Sequence, residues 1–161
     1  MVTDNISLAP VTQENWRAAL RLAVHPDQQR FVAEYAPVAA IALAKAYLCL
    51  GDLTWAPYAI SAGAEMVGFV ALAYEPASVD EYWVCHFFID QRYQGRGYAR
   101  AALERLIALV KREYPAGQLL QLVVHPENRV AQHLYTSAGF RPTGTERWGE
   151  PLYQLALRDP V

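Results

Sequence analysis

The sequence lacks the marks of several protein classes. Its 161 residues carry 14 lysine and arginine side chains against 16 aspartate and glutamate side chains, which gives a net charge of −2. That balance argues against a nucleic-acid-binding surface, which is usually basic. Only two cysteines occur, Cys49 and Cys85, and neither belongs to a Cys-x-x-Cys pair. The four histidines are scattered along the chain, so we predict no metal site.

Long apolar stretches are also missing. The longest run, residues 37–44, is too short to cross a bilayer. No apolar segment follows a basic one near the N-terminus, so we expect no signal peptide. Two unpaired cysteines suit a reducing compartment. Together these absences predict a cytoplasmic protein with no membrane partner.

The chain does contain the material for a folded core. Hydrophobic residues make up 53% of it and charged residues 19%, and its length suits one domain over residues 1–161. Apolar patterns predict strands at 6–9, 55–60, 66–74, 81–89, 119–124, 140–146 and 152–157. Helical spacing predicts helices at 13–24, capped by Thr12, at 99–110 and at 128–139, with a helical region at 28–50 that Pro37 divides.

The segment between strand 81–89 and helix 99–110 contains two glycines, Gly95 and Gly97. Glycines let a backbone approach a phosphate closely, and the first N–H groups of a helix have no partner inside the helix. The segment therefore predicts an anion site at the helix N-terminus. It is not a nucleotide P-loop, because no Lys-Ser/Thr pair follows. The dinucleotide fingerprint also fails, because Arg100 stands where the third glycine would be.

The spacing Gln94-x-x-Gly97-x-Ala99 resembles the acetyl-CoA pyrophosphate loop of the GNAT superfamily of N-acetyltransferases. A second landmark of that superfamily has a counterpart downstream. Strand 119–124 is followed by Asn128 and then by a helix that carries Leu134-Tyr135 and ends at Gly139-Phe140. The resemblance implies an α/β fold with a mixed, mostly antiparallel sheet of six to seven strands and helices on both faces. It also implies a possible homodimer.

Four further segments, 11–16, 28–33, 55–60 and 66–70, are similar to bacterial spermine/spermidine N-acetyltransferases. This resemblance implies direct transfer of acetyl from acetyl-CoA to a primary amine of a polyamine, without a metal. Two alternatives stay open. The same chemistry could serve another amine, such as a peptide N-terminus, an amino acid or an aminoglycoside, or the chain could be a non-catalytic acyl-CoA-binding module.

The resemblance also implies roles for individual residues. Tyr135 matches the tyrosine that acts as general acid toward the CoA sulfur, and Asn128 matches an asparagine that binds the pantetheine arm. The backbone of Phe87, Phe88 and Ile89 is expected to pair with the pantetheine amides like an added strand. The pyrophosphate is expected to lie on the loop formed by Gln94, Gly95, Arg96, Gly97, Tyr98, Ala99 and Arg100.

The general base is where the sequence departs from the polyamine pattern. Cys85 occupies the position where an acidic residue is expected, so we place it in the substrate site, and His86 follows it. A histidine has a pKa suited to base catalysis near neutral pH, which makes His86 the candidate base, with a water relay through backbone carbonyls as the alternative. Glu34 and Glu81 are the acids that we expect to line the substrate pocket.

Overall fold

A computed structural model describes residues 2–77 and 80–159, and its centre is a seven-stranded sheet. The strand order is β1-β2-β3-β4-β5-β7-β6, and all neighbours are antiparallel except β4 and β5, which are parallel. This confirms the predicted fold class. The strands are β1 (Ile6–Pro10), β2 (Thr54–Ala62), β3 (Glu65–Tyr74), β4 (Glu81–Ile89), β5 (Leu119–Val123), β6 (Arg141–Arg147) and β7 (Glu150–Ala156).

Helices cover both faces of the sheet, as predicted. They are α1 (Trp16–Leu20), α2 (Gln29–Val32), α3 (Val38–Leu48), α4 (Tyr98–Glu113) and α5 (Arg129–Ser137). Apolar side chains of α4 and α5 pack in one core cluster, and those of α1 and α3 pack in another. Among the described residues, no helix combines the length and the apolar character that a membrane crossing needs.

Strand β3 joins the two clusters because it is buried on both faces. Val70 and Leu72 belong to the cluster with α4, whereas Phe69 and Ala71 belong to the cluster with α1 and α3. Side chains of a strand point alternately to opposite faces, so this division follows directly from the sequence. A strand buried on both sides also explains the near-continuous apolar run that predicted it.

Two irregularities of β4 determine the shape of the sheet around it. Phe69 pairs with Phe88 and Ala71 with Cys85, so Val70 alone faces two residues of β4, one of which is His86. The extra residue is a β-bulge, and His86 takes a left-handed backbone with φ of 53°. On the other side, the pairing of β4 with β5 begins at Glu81 and stops at Trp83.

The first predicted helix, 13–24, is much too long. Helix α1 spans only Trp16–Leu20, and Thr12 takes part in a turn, where its Oγ1 accepts a hydrogen bond from the Glu14 N–H at 3.3 Å. The chain leaves the helix because Ala23 is drawn to the end of β4. The Gln91 N–H donates to the Ala23 carbonyl at 2.8 Å, a long-range contact that helical periodicity does not reveal. Region 28–50, predicted to form two helices or a kink at Pro37, contains two helices, but α2 already ends at Val32 and only α3 begins directly after Pro37.

Candidate functional site

A cavity of about 580 Å³ lies where β4 and β5 separate. Its wall combines the end of β4, the turn that contains Gly95 and Gly97, α5, and α2. The cavity brings together most of the residues singled out from the sequence. These are Phe87, Phe88, Ile89, Gln94, Gly95, Gly97, Tyr98, Ala99, Arg100, Asn128 and Tyr135.

The strand side of the cavity is a backbone edge without a neighbouring strand. Because β5 pairs with β4 only as far as Trp83, the later part of β4 has no strand partner on that side among residues 2–77 and 80–159. The Asp90 N–H donates to the Val67 carbonyl of β3 at 2.8 Å, so the N–H groups of Ile89 and Phe87, which alternate with it, point toward the gap. An extended chain with amide groups can bind such an edge as an additional strand.

The glycine side of the cavity is an uncapped helix N-terminus. Gly95 and Gly97 both take the left-handed conformation, with φ of 78° and 82°. Gly97 is the N-cap of α4 and has no side chain to cap the helix, so the N–H groups of its first turn lack side-chain partners at the cap. The dipole of this 16-residue helix adds positive potential at the same place, so these N–H groups favour the binding of an anion such as a pyrophosphate.

Buried and half-buried polar contacts hold this turn in place. The Gln94 Nε2 donates to the Ile89 carbonyl at 2.9 Å, and the amides of Gln94 and Gln28 donate to each other at 3.0 and 3.2 Å. The buried Asp90 carboxylate accepts from the Ala23 N–H at 2.9 Å and from the Arg92 Nε at 2.8 Å. Burial alone would raise the pKa of Asp90, but these donors outweigh it, so its pKa lies below the usual value.

The two loop arginines differ in position. Arg100 lines the cavity, where its Nη1 donates to the Ser137 hydroxyl at 3.1 Å and its Nε contacts Glu104 at 3.3 Å. Arg96 does not line the cavity, and its Nη2 donates to the Arg92 carbonyl at 3.4 Å. A bound anion therefore meets the charge of Arg100 before that of Arg96.

Helix α5 brings Asn128 and Tyr135 to the cavity. Asn128 caps the helix, because its Oδ1 accepts from the Ala131 N–H at 3.3 Å. Tyr135, seven positions later, is buried with its ring 6.4 Å from that of Phe87 and 5.7 Å from that of Phe140. Burial raises the pKa of Tyr135 above its usual value, so its hydroxyl keeps its proton.

His86 lies behind the cavity wall and is engaged at both ring nitrogens. Its Nδ1 lies 2.7 Å from the Val32 carbonyl, and since a carbonyl only accepts, Nδ1 carries the proton. Nε2 then accepts from the Lys45 ammonium at 2.9 Å. Burial lowers the pKa of His86; the hydrogen bond to the Val32 carbonyl opposes this shift and the Lys45 charge adds to it, so the ring is neutral near pH 7. The lone pair on Nε2, which a base would need, therefore already accepts the hydrogen bond from Lys45.

The three residues predicted to contact the substrate, Cys85, Glu34 and Glu81, do not line the cavity either. Burial raises the pKa of Cys85 to about 12, so this side chain is a neutral thiol. Glu34 is exposed and lines a separate groove with Asp27 and Arg30. Glu81 stands at the opposite end of β4 from the glycine turn, where its Oε2 accepts from the Gln121 Nε2 at 3.0 Å.

Sequence reasoning missed that α2 crosses the cavity. Arg30 pairs with Glu127 at 2.6 Å, and the rings of Phe31 and His125 lie 5.1 Å apart. Segment 28–33 was noted only for its resemblance, because no local pattern indicates contacts between residues nearly one hundred positions apart. Lys45 was missed as well, although a single lysine in the apolar sequence of α3 is a signal. Among the described residues, no cluster of three or more potential metal ligands occurs.

The lowered pKa of His86 predicts a pH-dependent contribution to stability. A depressed histidine pKa means that the contribution is present above the ordinary pKa and is lost as the pH falls through the folded-state pKa. We therefore expect the difference in unfolding free energy between the native chain and His86→Asn to shrink from about pH 7.5 to about pH 5. Asparagine tolerates the left-handed backbone. Urea denaturation measures the difference, with exposed His133→Asn as control, and a constant difference would contradict the assignment.

Comparison with known proteins agrees with this geometry. Residues 44–140 match the Acetyltransferase (GNAT) family. The spermine/spermidine N(1)-acetyltransferase of Bacillus subtilis (strain 168) is 27% identical over 149 residues, which cover 87% of this chain and 90% of the relative. The N-alpha-acetyltransferase RimI of Mycobacterium tuberculosis is 29% identical over 118 residues, which cover 64% and 72%.

A solved structure gives the same fold. The spermidine N-acetyltransferase of Vibrio cholerae, in complex with CoA and spermine, superposes with a TM-score of 0.73 over 96% of each chain at 16% identity. An identity this low supports the fold alone, whereas the family match extends over more than half of the chain. The chain belongs to the GNAT acetyltransferase family and is an acyltransferase.

Proposed function

We propose that the chain transfers the acetyl group of acetyl-CoA to a primary amine by direct attack on the thioester. The observation that carries this proposal is one cavity that combines an uncapped helix N-terminus, an unpaired strand edge and a buried, protonated tyrosine. The helix N-terminus suits a pyrophosphate, the strand edge suits an arm that contains amides, and the tyrosine suits a leaving thiolate. Acetyl-CoA contains all three groups.

The residues fit the cofactor group by group. The backbone N–H groups from Gly95 to Arg100 would hold the pyrophosphate, with Arg100 adding charge. The edge of β4 at Phe87 and Ile89 would pair with the amides of the pantetheine arm, and Asn128 stands at the other side of the gap. Acetyl-CoA supplies an acyl carbon that is activated as a thioester.

Amide formation requires the protonated amine to lose two protons and the departing thiolate to gain one. An alkyl amine has a reference pKa of about 10.4 and must lose a proton before it can attack. Its nitrogen then forms a bond to the acyl carbon, and the bond from that carbon to sulfur breaks. Tyr135 would give its hydroxyl proton to the departing thiolate. The nitrogen loses its second proton as the amide forms, and this proton would restore the Tyr135 hydroxyl.

The proton of the amine needs a separate acceptor. His86 can take this role only if Lys45 leaves its Nε2, and the neutral thiol of Cys85 offers no basic site. A water molecule held by backbone carbonyls would be the other acceptor of the amine proton. We propose this water as the default route, because it leaves the contact between His86 and Lys45 intact.

A polyamine is the acceptor that the name of the Bacillus subtilis relative suggests, whereas the name of RimI, an N-alpha-acetyltransferase, suggests an alpha-amino group. Asp27 and Glu34 place carboxylates in the groove beside α2, where a polycation could bind. Thiol release from acetyl-CoA tests the proposal across spermine, spermidine, putrescine, amino acids, an aminoglycoside and a short peptide. Release that depends on one of these amines supports amine transfer, whereas acetyl-CoA binding without any release would contradict it.

Tyr135→Phe tests the assigned acid. Because general acid catalysis contributes about 10²–10⁴-fold, we expect kcat to fall by at least about 100-fold while acetyl-CoA affinity stays nearly constant. Tyr114→Phe is the control, since this tyrosine does not line the cavity. It follows the C-terminal end of α4, whose 16 residues separate it from the glycine turn by a helix length of about 24 Å. Steady-state kinetics and calorimetry measure both quantities. An unchanged kcat would remove Tyr135 from the mechanism.

Gly97→Ala tests the assigned anion site. A left-handed backbone costs a non-glycine residue about 1–2 kcal/mol, so the turn should shift and acetyl-CoA should bind roughly 5- to 30-fold more weakly. Gly149→Ala is the control for backbone strain, because Gly149 has a similar φ of 79° in the β6–β7 turn. An added Cβ meets no atom within 4 Å at Gly149, whereas at Gly97 it lies 3.2 Å from the Thr3 Cγ2. Equal affinities of the two variants, measured by calorimetry, would be inconsistent with pyrophosphate binding at Gly97.

A further inference from the structure

Lys45 is a half-buried cation at the sheet surface. Val38 and Ala42 face the core from α3, and Lys45 continues the same helix face one turn later. Its ammonium therefore lies over the sheet, 2.9 Å from the His86 Nε2 and 5.0 Å from the centre of the Trp55 ring. The side chain is thus held between β2 and the bulge of β4.

The charge of Lys45 is not neutralised by the described part of the chain. No aspartate or glutamate oxygen there lies within 4.0 Å of its Nζ, although Arg30, Arg92, Arg100 and Arg112 each have such a partner. His86 is neutral, and the face of Trp55 gives only a cation–π contact. An ammonium has three donors, and His86 accepts from one of them. The structure thus presents a positive charge with free donor capacity.

This charge lies one side chain behind the cavity wall. His86 precedes Phe87, which lines the cavity, and it donates to the carbonyl of Val32, which also lines it. The position where the polyamine pattern expects an acid is occupied by Cys85, a neutral thiol next to His86. At the β4 bulge, then, the charge next to the cavity wall is that of Lys45, whereas the carboxylates of Asp27 and Glu127 line the cavity elsewhere.

We propose that Lys45 binds a carboxylate on the acceptor, so that the acceptor is a primary amine that also carries a carboxylate, in the manner of an amino acid. The proposal rests on the proposed amine transfer and narrows its substrate class. A polyamine would bring a second cation toward Lys45 and be repelled, whereas a carboxylate would gain a charge-assisted hydrogen bond. Lys45 is a specificity-determining residue in this account.

Three amines with the same four-carbon chain isolate the charge of the far end: butylamine, putrescine and 4-aminobutanoate. A two-carbon set, ethylamine, ethylenediamine and glycine, repeats the comparison at another length. For at least one length, we expect kcat/KM of the native chain to be about tenfold or more higher for the carboxylate amine than for the diamine. A preference for the diamine at both lengths would overturn the proposal.

Variants assign that preference to Lys45. We expect Lys45→Met to raise KM for the carboxylate amine about tenfold or more and to leave the uncharged amine unchanged. Lys45→Arg should retain the preference. Lys111→Met is the matched control, because Lys111 is the other lysine of the chain and lies in the last turn of α4. A carboxylate preference that persists in Lys45→Met would overturn the assignment.

A binding measurement separates this proposal from the proposed reaction. Calorimetry with CoA-loaded protein compares the affinities of the three amines without turnover. Absence of thiol release with every amine would contradict the proposed function, yet tighter binding of the carboxylate amine that disappears in Lys45→Met would still support the site. Equal binding of the charged amines to the native chain and to a folded Lys45→Met variant would overturn it.

Discussion

The separation of β4 from β5 after Trp83 is the constraint on which the site depends. A bulge at His86 bends β4 in the middle of the sheet, and β5 ends at Val123. The gap leaves backbone amides of β4 without a strand partner, and an unpaired amide costs free energy unless water or a ligand satisfies it. The cavity, the glycine turn that follows β4 and the approach of α5 all follow from this separation.

The two sides of the cavity are held with different strength. On the glycine side, Asp90 is buried and accepts hydrogen bonds from the distant Ala23 N–H and from the neighbouring Arg92 side chain. Such buried networks are costly to break. On the α2 side, the pair between Arg30 and Glu127 is exposed and contributes only about 0–1 kcal/mol. The phosphate end of a ligand thus meets a fixed site, whereas α2 is held by weaker contacts.

Sequence patterns predicted the features that depend on neighbouring residues. The strands and the glycine turn each follow from a local pattern of a few residues. The length of α1 was not predictable in this way, because it depends on a contact between Ala23 and the end of β4. The contact of Lys45 with His86 joins residues on different elements, so their charges could not be assigned from the sequence. Glu34 and Glu81 were named from charge alone, and charge does not determine position.

Residue-resolved amide hydrogen exchange with and without acetyl-CoA tests the central claim most directly. If acetyl-CoA binds as an added strand in the gap, exchange at the amides of Phe87 and Ile89 slows on binding, because these N–H groups gain a hydrogen-bond acceptor. Tyr82 and Trp83, which already pair with β5, serve as internal references. Binding of acetyl-CoA with no change at Phe87 or Ile89 would contradict the account.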